Sequence, residues 1–194
     1  MTRAASTPAS AARRSLLLAG TAMLTLGLPG LAAAARRAAI YPPVPPAYRD
    51  AASRLGIPPR ILFGVALQES ALRWGGHALP WPWTLNIRQR PRRFDSYADA
   101  LAALKDALAR GARNVDCGCM QVNWAYHRVR LQSPERALDP WHNLAVGARI
   151  LADERASRAG WFEAVGAYHA PANAERARRY AQSVFRRIEG IAHA

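Results

Sequence analysis

Ile61–Ser70 reads ILFGVALQES, and one residue in it, Glu69, organises the reading of the whole chain. Pro58-Pro59 precedes the stretch, and proline suits the first turn of a helix. Leu62, Val65 and Ala66 recur at helical spacing, and the next residue on their face is Glu69. Gln68 and Ser70 point elsewhere. A single carboxylate therefore sits on the stripe that should face the core. Apolar surroundings disfavour the charged form and raise the pKa, which makes a carboxyl a proton donor near neutral pH. From this stretch alone two readings stand: a catalytic acid, or a glutamate at the rim of the core paired with one of the many arginines.

The chain has 194 residues, enough for one domain with an appendage, and 51% of them are apolar, enough for a real core. The net charge is +14, carried almost wholly by arginine; Lys105 is the only lysine. Such a surface favours polyanions, among them acidic cell-envelope polymers. The arginines are scattered, however, and no nucleic-acid-binding motif accompanies them. Solvated helix faces explain them better than nucleic acid does.

Residues 1–35 read as a secretory signal. Arg3, Arg13 and Arg14 form a positive start, Ser15 to Leu31 is an apolar run, and Ala32–Ala35 supplies an A-x-A cleavage site. Arg13-Arg14-Ser15-Leu16-Leu17 loosely resembles a twin-arginine signal, which leaves the export route open. Gly20, Gly27, Pro29 and Gly30 interrupt the run, so no membrane anchor is expected after cleavage. Removing this segment takes away three arginines and no acid, leaving a charge of +11. A periplasmic location follows as an expectation. Residues 36–46 form a Pro-rich linker expected to be extended rather than packed.

Residues 47–194 should be mainly helical. A first helix runs from Ala47 to Leu55, and the Glu69 helix ends near Arg73. Residues 74–111 form a different kind of stretch from the helices on either side. It holds a small hairpin, with strands at Trp83–Ile87 and Arg93–Asp95, and then a helix started by the capping pair Ser96 and Asp99. Trp81 and Trp83 serve either local packing or a wall on which sugar rings stack. Asn114–Asn123 is extended and turn-like. Helices follow at Trp124–Arg130, from Pro134, at Pro140–Arg158 with Trp141, Leu144, Ala148 and Leu151 inward, and at Trp161–His169. Asn173 caps the last one. Its stripe of Ala177, Tyr180, Ala181, Val184, Phe185, Ile188 and Ile191 is apolar, and Tyr180 reads as core rather than site. Cys117 and Cys119, two apart in an extended segment, share a face. Their Cα atoms lie near or beyond the limit of about 7 Å for a disulfide. Two cysteines without further ligands also make a poor zinc site, so no metal or other cofactor is expected. They read as small apolar residues, Cys119 the more buried, with a strained or redox-active bond as the minor alternative.

Four segments now line up in order: Gln68-Glu69-Ser70, Gly118–Asn123 (GCMQVN), Asn143–Leu151 (NLAVGARIL) and Ala167–Ala170 (AYHA). Together they resemble the soluble-lytic-transglycosylase domain of the lysozyme-like superfamily, which carries an E-S pair, a G-L-M-Q-[IV] turn, an N-[IL]-x-x-G-x-x-[YI]-L helix and an A-Y-N-x-G segment. Cys119 stands where that family has Leu, and His169-Ala170-Pro171 where it has Asn-x-Gly. The resemblance implies a lysozyme-like helical domain with a small β-hairpin insertion. It implies cleavage of the bond between N-acetylmuramic acid and N-acetylglucosamine in peptidoglycan, giving a 1,6-anhydro product. Glu69 would be the acid and then the base. Met120 and Gln121 would line the cleft, and Tyr168 would place its hydroxyl near the Glu69 carboxyl, with His169 beside it. Ser70, Asn123 and Asn143 are secondary candidates, Asn143 reading better as a hydrogen bond between helices. By analogy with small secreted members, the partner would be an envelope-spanning secretion, conjugation or pilus machine.

Two alternatives remain: a goose-type muramidase that hydrolyses the same bond with water, and a non-catalytic envelope adaptor, against which an intact Glu69 argues. A hydrolase of this kind needs a second carboxylate. Most of the 13 acids read as helix caps or surface residues. Asp116, two residues before Gly118, is the acid that the motifs bring nearest to Glu69. Its other possible roles are pairing with Arg113 or accepting backbone N–H bonds in the turn.

Overall fold

The computed structural model divides into Met1–Arg36 and Arg37–Ala194. The structure describes residues 41–74 and 76–193. The expected signal segment, residues 1–35, and the first part of the expected linker lie outside these. The described residues are mainly helical: α1 Pro46–Ser53, α2 Pro59–Ser70, α3 Tyr97–Ala109, α4 Trp124–Leu131, α5 Pro134–Leu138, α6 Pro140–Ala156, α7 Trp161–His169 and α8 Ala174–Glu189. The strands are β1 Ala71–Trp74, β2 His77–Pro80, β3 Thr84–Ile87, β4 Arg90–Arg93, β5 Val115–Cys117 and β6 Val122–Asn123. β1 and β2 form one antiparallel ribbon, and the other four form an antiparallel sheet in the order β4-β3-β5-β6.

Helix starts follow the chemistry expected of them. Ser96 Oγ accepts from Asp99 N, and the side chains of Ser133, Asp139 and Asn173 accept from the third residue beyond each, opening α5, α6 and α8. α2 begins at Pro59 and buries every residue from Ile61 to Leu67. It packs on α8 closely enough that a Cβ on Gly64 would stand 2.5 Å from Ile188 Cγ1. Arg60 fastens the far end of that contact. Its guanidinium donates to the carbonyls of Ile188 at 2.7 Å and Ile191 at 3.1 Å, satisfying groups that the end of α8 leaves open.

Several expectations change. α2 stops at Ser70, not Arg73, because Ala71 turns extended (ψ 130°) and residues 71–74 pair with 77–80. There are thus two hairpins, and the second turns at Arg88-Gln89, so its return strand is Arg90–Arg93. Tyr41 and Val44, at the end of the Pro-rich stretch, are buried, and Tyr41 forms a parallel bridge with Ile191. Trp141 is exposed. A helical side chain covers the turn N-terminal to its own Cα, and Trp141, in the first turn of α6, has no such turn beneath it. Cys117 and Cys119 are both free and buried, Cys117 completely. They are not in one extended run, because Gly118 between them has φ +77°. Burial pushes the thiols up, Cys119 to about 12, so neither is a ready nucleophile.

The turn after β5 is held from α6. Asn143, fully buried, accepts from Met120 N at 2.9 Å and donates to Cys117 O at 2.8 Å and Ala137 O at 3.0 Å. The bond to Ala137 O is the expected link between helices, from α6 to α5, and the other two reach the turn. Gly118 is required twice over: its φ is positive, and a Cβ there would meet the Asn143 carboxamide at 2.4 Å. Asn143→Ala orphans three buried backbone groups, each costing about 1–3 kcal/mol. Urea unfolding should show a loss of about 3 kcal/mol or more, whereas exposed Trp141→Ala should cost less than about 1 kcal/mol.

Candidate active site

Glu69 sits in the last turn of α2 and keeps part of its surface open. Tyr180, on the facing stripe of α8, donates its hydroxyl to Glu69 Oε1 at 2.5 Å. Burial pushes the Glu69 carboxyl from its ordinary value near 4.5 up to about 7. The Tyr180 hydrogen bond opposes that rise, and the charge of Asp116 adds to it. The carboxyl is therefore about half protonated at neutral pH, able to give a proton and to take one back. Among the described residues no arginine or lysine pairs with it, so the ion-paired alternative for Glu69 falls.

Its neighbour Gln68 is fixed from α8. Ser183 Oγ and Arg187 Nε both donate to Gln68 Oε1, at 2.9 and 2.7 Å. Ser70, offered as a substrate contact, is buried instead, and its hydroxyl donates to Cys119 O at 2.7 Å. The two sides of the Glu69 position are thus tied to α8 and to the Gly118 turn, leaving the carboxyl itself facing Tyr180.

Tyr168 was expected at the Glu69 carboxyl. Its hydroxyl donates to Met120 O at 2.7 Å, and its pKa is pushed up by burial first and then by the nearby charge of Glu69. Tyr180 holds the carboxyl in its place, and the expectation that Tyr180 was core alone is corrected. A buried tyrosine hydroxyl usually finds a partner, and that was the available signal. Met120 does not line a cleft with its side chain. It is fully buried under α6, where a Cβ on Gly147 would stand 2.6 Å from its own Cβ. Gln121, at φ +46°, is half-buried, and its Nε2 donates to Gly118 O at 2.8 Å and Thr84 O at 3.1 Å. His169 stacks flat on Tyr180, centroids 4.4 Å apart and planes 3° apart. Burial and Arg176 lower its pKa, so the ring is neutral at neutral pH.

Asp116 lies on β5 opposite Asn86 of β3 and Asn123 of β6, so the three side chains share a face. Asn123 Nδ2 donates to Asp116 Oδ1 at 2.7 Å and Asn86 Nδ2 to Oδ2 at 2.9 Å. Neither alternative role holds: Arg113 donates to the carbonyls of Leu108 and Ala112, and Asp116 is gripped by side-chain amides rather than backbone. Burial raises the Asp116 pKa, while the two amides and the nearby His169 hold it down. Asn123 also caps α4 and donates to Asn114, so its amide is fully engaged. Asn86, not anticipated from sequence, carries a buried Oδ1 without a partner. Trp81 and Trp83 pack edge to face at 5.4 Å, with Trp81 Nε1 donating to Phe94 O at 2.8 Å. No group of three or more His, Cys, Asp or Glu among the described residues is placed to hold a metal.

Residues 93–187 match the family model of the transglycosylase SLT domain. The match spans 95 of the chain's 194 residues and makes that stretch similar to an SLT domain. The SLT match takes in the Gly118, Asn143 and Ala167 segments; Glu69 lies before its first residue, so its role rests on the geometry above. Comparison with curated proteins and with solved structures found no match.

The raised carboxyl has a consequence for stability. A folded-state pKa above the unfolded value stabilises the fold below about pH 4.5, and that stabilisation is lost as pH rises through about 7. Each unit is worth about 1.4 kcal/mol, so the loss at pH 8 is at most about 3.5 kcal/mol. Glu69→Gln, which cannot ionise, should gain on the wild type in melting temperature between pH 4.5 and 8. Parallel melting curves across that range would show that Glu69 titrates as in the unfolded chain.

Proposed function

We propose that this protein is a peptidoglycan lytic transglycosylase in which Glu69 supplies both the acid and the base. The supporting observation is a carboxyl on a half-buried residue, without an ion pair among the described residues and hydrogen-bonded by Tyr180, with its pKa pushed to about 7. Protonated Glu69 gives its proton to the glycosidic oxygen as the bond from the muramoyl anomeric carbon breaks. The acetamido oxygen of the sugar steadies the positive charge, so no protein nucleophile is required. Glu69, now a carboxylate, takes the proton of the muramoyl 6-hydroxyl as that oxygen closes on the anomeric carbon. The product is a 1,6-anhydro end, and Glu69 is protonated again. Tyr180 keeps the carboxyl aimed, and Gln121 and His169 border the site.

Hydrolysis is the second reading, favoured by Asp116. That carboxyl is held by Asn86 and Asn123, has no ion pair among the described residues, and bears on Glu69 through its charge. Mass spectrometry of the ends from digested glycan strands separates the two. Anhydro ends that persist in Asp116→Asn support the transglycosylase; reducing ends that vanish in Asp116→Asn make the protein a muramidase with Asp116 as the second carboxylate.

The exported location, removal of residues 1–35, and service to a secretion, conjugation or pilus machine belong to the same proposal. Among the described residues no helix is long and apolar enough to cross a membrane. N-terminal sequencing of periplasmic material tests the first two, with Arg36 as the expected start.

Glu69→Gln should lower turnover by at least 10²–10⁴-fold, the ordinary range for a general acid–base group, with the fold intact by circular dichroism. Tyr180→Phe removes the hydrogen bond that holds the Glu69 pKa down. The alkaline limb of its pH–rate profile should therefore move above that of the wild type. A limb that stays in place or moves down would separate Tyr180 from the working carboxyl.

A further inference from the structure

The β3–β4 ribbon is an unusual concentration of charge. Arg88, Arg90, Arg92 and Arg93 fall within six residues, all exposed, on the outer edge of the sheet. Among the described residues none of the four forms an ion pair, the neighbouring Asp95 included. Arg92 lies over the Phe94 ring at 5.0 Å. Among the described residues Arg88 and Arg90 find no side-chain hydrogen bond. Arg88 and Gln89 make the two-residue turn with φ of +52° and +65°, a conformation for which Asn-Gly is the favoured pair. Arginine there costs the fold rather than helping it.

Protection of an edge strand explains part of this. Pro91 and one charge already discourage edge-to-edge pairing. Four like charges on one short ribbon repel one another and exceed that need. The ribbon also adjoins the site. Its inner strand pairs with β5 and places Asn86 against Asp116, and Arg93 Nη2 donates to Ala71 O, two residues beyond Glu69. A polymer lying at Glu69 would run past this edge.

We propose that the arginines of the β3–β4 ribbon dock the carboxylates of the peptide side chains that peptidoglycan carries. The inference rests on the reading of Glu69 above. Guanidinium forks grip carboxylates through paired N–H···O bonds, and lateral spread over two faces of a ribbon suits flexible peptides better than one rigid ligand. Polymer phosphate would meet the same guanidinium groups, but only the peptide carboxylates are attached to the strand that occupies the site.

The test is co-sedimentation of Glu69→Gln protein with intact peptidoglycan and with glycan strands stripped of peptide by an amidase. The same protein carrying Arg88→Gln, Arg90→Gln and Arg92→Gln is compared, its fold checked by circular dichroism. The ribbon variant should bind intact peptidoglycan at least about fivefold more weakly and stripped glycan equally well, with a shallower salt dependence. Equal binding to intact peptidoglycan overturns the proposal, and so does an equal loss on stripped glycan. Cleavage of stripped strands by wild type tests the Glu69 reading separately. If no strand is cleaved while the ribbon-dependent preference persists, the catalytic reading falls and the docking surface stands.

Discussion

The architecture depends on one buried carboxamide. Asn143 can accept two hydrogen bonds and donate two, and the turn and the end of α5 use all four: Cys119 Sγ and Met120 N donate to its oxygen, and its amide donates to Cys117 O and Ala137 O. With no water to compete, each of these bonds must be made by the fold or not at all. Because they are made, the Gly118 turn cannot slide along α6. Its fixed carbonyls then serve as anchors: Cys119 O for Ser70 and Met120 O for Tyr168. α2, α7 and the sheet meet through this turn, and the position of Glu69 follows from it.

Charge at the site is set by what is kept away. The chain carries 27 arginine and lysine residues, yet the five ion pairs of the described residues all use other acids on the exterior. Exposed pairs of this kind contribute little to stability. Their separation from Glu69 matters more, since one adjacent guanidinium would draw the carboxyl back to its ordinary acidity. The carboxyl instead meets a neutral phenol and a second acid. Desolvation wins over the single hydrogen bond, and the carboxyl holds its proton up to about pH 7.

Much of this was legible from local chemistry. Caps at Ser96, Ser133, Asp139 and Asn173 and the Trp161–His169 helix could be read because each depends on residues within one turn. The core-facing carboxylate on α2 was legible from period alone. What escaped was decided at long range. That Tyr180, 111 residues from Glu69, supplies its partner depends on how α8 crosses α2. That Asp116 is held by amides needed the register of β3 and β6 against β5, which no local pattern specifies. Met120 and Ser70 sit in motif positions that look ready for substrate. Both are turned inward, because the motif is as much a packing device as a site.

The His169-Ala170-Pro171 segment shows how a departure from a family pattern can be absorbed. The histidine ring lies parallel to Tyr180 and covers one of its faces. A phenol rotates about its own Cβ–Cγ axis without moving its oxygen, but tilting away from that axis carries the hydroxyl off the carboxyl. A flat ring against its face resists the tilt. His169 can do this while neutral, and burial together with Arg176 keeps it neutral. The chain therefore replaces an amide at this point with an aromatic surface, and what that surface holds in place is the hydroxyl on which Glu69 leans.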